Sequence, residues 1–137
     1  MSNPRASVGF LDQFLEILTF KTADANLTKA AFNTNNVTVA VPFSPAVSMP
    51  STDTVSFGTA GDRLTGGVMS VDTDGIVSVA VGGVVKFKYT GTVPVANGSV
   101  ECNGDGTVRI ATSNNVARDN TVYSIDTVNS MVYVNLH

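Results

Sequence analysis

Tryptophan is missing from this 137-residue chain, and cysteine and histidine occur once each. A single cysteine, Cys102, excludes an internal disulfide and a cysteine-rich zinc site. The only histidine, His137, is the last residue, so a Ser-His-Asp or Cys-His arrangement would have to be built on a frayed end. Charge is scarce as well. Charged residues make up 14%, with eight Lys and Arg against eleven Asp and Glu and a net charge of −3. No basic stripe exists to displace counterions, which argues against nucleic acid as a partner. No apolar run approaches the ~20 residues that span a bilayer. The most apolar N-terminal stretch, GFLDQFLEILTF (9–20), is interrupted by Asp12 and Glu16 and lacks a small-residue cleavage site, so it does not read as a secretory signal. These absences predict a soluble protein made in the cytoplasm, with no membrane partner.

Valine and threonine lead what is there, followed by glycine, asparagine, serine and alanine, in a length that suits one domain. A surface of Thr, Ser, Asn and Gly carries little electrostatic repulsion and suits packing against other subunits. From Phe10 to Phe20, apolar residues at 10, 11, 14, 15, 17 and 18 match helical spacing, predicting a short amphipathic helix. Residues 21–36 read as a loop. Val37, Val39 and Val41 alternate with Thr38 and Ala40, predicting a strand that ends at Pro42. PFSPAVSMPSTD (42–53) holds three prolines and reads as an extended connector. The expected organisation is therefore an N-terminal arm over 1–53, comprising helix, strand and Pro-rich connector, and a β domain over 54–137.

In that domain, strands are expected at 54–58, 65–71, 76–81, 84–90, 99–102, 107–112, 121–126 and 131–136. Breaks fall at Asp74-Gly75, Gly82-Gly83, Asn97-Gly98 and NGDG (103–106). Short strands with regular turn signals predict a mainly β fold, a small antiparallel sandwich or barrel.

Few constellations promise chemistry. Asp72, Asp74 and Gly75 mimic the start of a calcium loop, but further ligands and a closing Glu are missing, and Asp-Gly between alternating strands is a hairpin signal of the type I′ kind. Val85, Phe87 and Tyr89 share one strand face and Lys86 and Lys88 the other, the pattern of a half-buried sheet rather than a phosphate cradle. Cys102 has no basic neighbour in sequence and reads as a small core or rim residue. No spacing among the carboxylates selects an acid–base pair. The expectation is a protein with no catalytic residues, no cofactor and no metal. Two features suit contact with another molecule. One is the apolar set Phe10, Leu11, Phe14, Leu18 and Phe20, which either covers an open end of the β domain or docks against another chain. The other is Tyr133, which alternation with Val132, Val134 and Leu136 turns outward.

The order of features AGDRLTGGVM, DGIVSVAVGGVVKFKY, VANGSVECNGDGTVRIA and VYVNL, over about residues 57–137, resembles the small β-rich capsid cement, or decoration, proteins of tailed bacteriophages. Val95, Ala96, Val100 and Glu101 stand where that family tends to carry aromatics around the turn, and the first 56 residues lie outside the likeness. The resemblance implies a virion component, made in the host cytoplasm, that binds the major capsid protein on the outside of an assembled shell. Such proteins act commonly as trimers and reinforce the joints between capsomers. On this reading, deleting residues 1–36 weakens assembly or shell binding and leaves the β domain folded. A glycan- or receptor-binding module of a phage head fibre or tail is the alternative, with Tyr133 at its contact surface.

Overall fold

The structure is a computed structural model and describes residues 15–22, 24–112 and 120–137. Among the described residues, nine strands run in the order β1 (Glu16–Thr22), β2 (Ala46–Ser51), β3 (Thr54–Ser56), β4 (Gly66–Val71), β5 (Ile76–Lys88), β6 (Val100–Cys102), β7 (Val108–Ile110), β8 (Asn120–Asp126) and β9 (Met131–Leu136). A short helix, α1 (Lys29–Phe32), lies between β1 and β2 and runs on into a π-helical turn, Asn33–Val37. Thr28 caps α1, its hydroxyl accepting the Ala31 N–H at 3.2 Å.

Strands β1, β3, β2, β4 and β5 form a closed barrel, because β5 pairs with both β4 and β1. Every pairing in it is antiparallel except β1 with β3. Its core holds Phe20, Leu27, Phe32, Val47, Val55, Val68, Val77 and Val79. The far half of β5 leaves the barrel and pairs with β9, which pairs with β8. This second sheet packs with the β6–β7 hairpin around Val85, Phe87, Val100, Cys102, Val108, Val122, Val132 and Val134. Ala46, Leu64 and Ala80, from the barrel side, belong to the same cluster and join the two lobes.

Within 54–137 the expected strands keep their places, with one change. Gly82-Gly83 does not end a strand. β5 runs through it for 13 residues, and Gly83, at φ 93°, bends the chain where its partners change from β1 and β4 to β9. The Asp74-Gly75 turn also differs from the expected type. Only Gly75 has positive φ, at 84°, and Gly75 N–H bonds Asp72 C=O at 3.3 Å across Thr73 and Asp74.

Three expectations for the N-terminal third are corrected. First, the part of the expected helix that is described is a strand. Ile17, Thr19, Phe20 and Thr22 are β-favouring residues, and the edge of β5 offers them a ladder from Ile76 to Gly82 that a helix would leave unpaired. Second, Val37–Val41 is not a strand. Among the described residues the alternation finds no sheet neighbour, and Thr38 N–H instead closes the preceding π turn on Asn33 C=O at 2.9 Å. Third, the supposed connector supplies β2. Pro50 is accommodated because the β2–β3 register shifts between Ser48 and Ser51, where no ladder bond is asked of it. Residues 16–22 and 46–51 are thus barrel strands, not parts of a detached arm.

Candidate contact surfaces

The expected contact residues separate. Phe10, Leu11 and Phe14 lie outside the described residues. Leu18 and Phe20, two apart on β1, share one face. Phe20 is buried in the barrel core and packs rather than docks, whereas Leu18 is 50% exposed. Leu18 stands at the mouth of the barrel, a cleft of about 560 Å³ lined also by Met49, Pro50, Leu64 and Val81, with Asp62 and Arg63 at hand. Ser48 also lines it, and its hydroxyl is a buried group without a hydrogen-bond partner.

The second surface is the outer face of the β5–β9–β8 sheet. Val85, Phe87 and Tyr89 point into the core, as do Val132, Val134 and Leu136. Lys86, Lys88, Tyr133 and Asn135 therefore face away from it. Lys86 and Tyr133 are cross-strand partners, and the Lys86 ammonium lies 6.0 Å from the Tyr133 ring centroid. Tyr123 joins them. It sits where the β8–β9 register shifts and is 72% exposed, and that bulge is what turns an aromatic outward on β8. Alternation alone would not have found it. A third area is a groove of about 410 Å³ between Phe43, Val37, Met69 and Val84, with Lys88 Nζ 5.9 Å from the Phe43 ring.

The carboxylates that resembled ligand sets are turn residues. Asp74 accepts the Ile76 N–H at 3.2 Å. Burial pushes the Asp105 carboxyl up, but hydrogen bonds from the Thr107 hydroxyl and N–H, with Asn103, outweigh it and hold the group below its usual range. Among the described residues, no group of three or more His, Cys, Asp or Glu is placed to hold a metal ion. No helix among them is long and apolar enough to cross a membrane.

The β6–β7 hairpin carries an ion pair that residue-by-residue reading missed. Glu101 is fully buried and accepts the Arg109 Nε–H at 2.7 Å, with the Thr112 N–H and hydroxyl at 3.3 Å each. The hairpin register is centred on Asp105, with Asn103 N–H bonded to Thr107 C=O, and so sets 101 opposite 109, whereas symmetry about NGDG alone would set it opposite Val108. Beside it, Cys102 is fully buried. Burial, then the charges of Asp62 and Glu101, push its thiol up to about 12. Iodoacetamide is expected to leave Cys102 unmodified in the native protein and to label it once the chain is unfolded, read by mass. The sign of the accompanying pH effect follows. The unfolded thiol ionises from 9.0 upward while the native one stays protonated to about 12, so stability falls as pH rises through that window.

Compared with known proteins, the sequence matches no family model, and no curated protein matches it.

Proposed function

We propose that the chain is a structural, non-enzymatic virion protein. It binds the outside of an assembled phage capsid as a trimer, contacts the major capsid protein and stabilises the shell. The observation that supports this reading is the ordered series of turns and strands over about 57–137, which resembles capsid cement proteins. Its breaks coincide with reversals or bends of the backbone at Gly75, Gly83, Asn97, Gly104 and Gly106, all at positive φ. The mechanism is linkage: a ligand that binds the mature shell and not its ruptured form stabilises it, by about 2.7 kcal/mol per site when the free protein is at 100 times its Kd. A trimer multiplies attachment through effective concentration. The test is incubation with undecorated capsids, followed by sedimentation and heating. Co-sedimentation and a higher rupture temperature are expected, and failure to bind any shell of its own system ends the proposal.

A glycan- or receptor-binding role is the second reading, favoured by the exposed Tyr123 and Tyr133 on the same lobe, with Lys86 against Tyr133. Stacking on a tyrosine face with nearby polar side chains is a mode of saccharide contact. Glycan-array binding that disappears in Tyr133→Ala would favour it over the capsid.

A further inference from the structure

Unpaired strand edges invite pairing, and folds usually cover or charge them. Here the outer edge of β8 is covered. Val122 N–H bonds Gly98 C=O at 2.8 Å and its C=O accepts from Asn97 N–H at 3.0 Å. The Asn120 carboxamide extends the same cover by pairing with the N–H and C=O of Val100, at 2.9 and 3.1 Å. Strand β1 is treated differently. Its inner edge pairs with β5 from Glu16 to Lys21, while β3 reaches only Lys21 and Thr22 on the other side. Thr22 N–H points to Gly75 of the β4–β5 turn and Lys21 N–H to Asp53. Alternation therefore aims the N–H and C=O of Thr19 and Ile17 away from β5, and among the described residues no strand pairs with them there. That stretch, Ile17-Leu18-Thr19, has no charge and no proline, and the register shift beside it places the extra residue on β5. Ile17 and Leu18 are 48% and 50% exposed.

We infer that the outer edge of β1 is an interface between two copies of this chain, joined antiparallel about Leu18 into one continuous sheet. In that register, Ile17 exchanges both backbone hydrogen bonds with the partner's Thr19, and Leu18 faces the partner's Leu18 in a close, non-hydrogen-bonded pair. Charge selects the antiparallel direction. Each β1 carries Glu16 at one end and Lys21 at the other, so antiparallel copies bring unlike ends together and parallel copies bring like ends together. Five residues make a small contact, so association is concentration-dependent. The inference does not rest on the capsid reading, and purified protein alone tests it.

Sedimentation velocity of the full chain without capsid shells, over a concentration series, is expected to show pairing at this edge, of single chains or of trimers held together by another surface. Oxidised Leu18→Cys is expected to give a covalent dimer, and Ser124→Cys, on the other lobe, none. Thr19→Pro removes an N–H that no strand pairs with among the described residues. It is expected to weaken association on the order of tenfold, since two symmetry-related hydrogen bonds go, with an unchanged thermal melt. Glu16→Lys should weaken association and Glu16→Lys with Lys21→Glu should restore it. A chain that stays monomeric, or whose trimers do not pair, with Leu18→Cys uncrosslinked, overturns the inference. So does association that Thr19→Pro leaves unchanged.

Discussion

Arg109→Met is expected to lower the unfolding free energy by about 3–5 kcal/mol, among the largest losses from a single substitution in this chain. The two ends of the ion pair are unequally placed: Glu101 has no exposed side-chain surface and Arg109 is 34% exposed. Removing the guanidinium strands a carboxylate with no exposed surface, which among the described residues keeps the Thr112 N–H and hydroxyl as its remaining partners. Removing the acid instead strands a cation that can turn outward. Glu101→Met should therefore cost less than Arg109→Met. The double variant should recover most of the loss, because a well-packed apolar pair avoids the desolvation of both charges. Urea unfolding of the three variants measures the cycle. Equal losses in both single variants, with none recovered in the double, would show that the hairpin depends on side-chain shape rather than on the buried charge.

That pair also shows where sequence reading stopped. The strands from β3 to β9 were legible because each is a short alternating run closed by glycine, asparagine or aspartate, and those signals are local. Tyr133 was legible for the same reason: its outward direction follows from the buried Val132 and Val134 on either side. The continuity of β5 was not, because a glycine pair looks like a break until the change of partners is known. Neither was β1. In FLDQFLEILTF the apolar positions satisfy helical spacing, while Leu18 and Phe20 also satisfy alternation, and the choice is made by the edge of β5, some 60 residues away in sequence. Val37–Val41 is the converse case, with perfect alternation and no edge to meet. Glu101 needed the hairpin register, and Tyr123 needed a bulge that no spacing announces.

The placement of β1 reverses the expected result of an N-terminal deletion. A chain lacking residues 1–36 is now expected not to fold. Among the described residues, the deletion removes β1, α1 and three buried apolar side chains, Phe20, Leu27 and Phe32. At roughly 1.5–3 kcal/mol for each buried side chain, their loss alone approaches the 5–15 kcal/mol that holds a typical domain together. Further costs fall on what remains. Val77 and Val79 of β5 lose their cover, and β5 loses the ladder partner that closes the barrel. Residues 24–28 matter too, because Asp24 accepts the Phe57 N–H at 3.1 Å and so ties the loop after β1 to the end of β3. A chain starting at residue 15 removes none of these contacts and should keep its cooperative melt. Circular dichroism and thermal unfolding of both truncations separate the outcomes. If the chain lacking 1–36 melts like the full-length protein, β1 is an appendage after all. If only that shorter chain is unfolded, any loss of assembly it shows reports a broken barrel and says nothing about docking, so contact at the β1 edge has to be tested by substitution at Leu18 and Thr19.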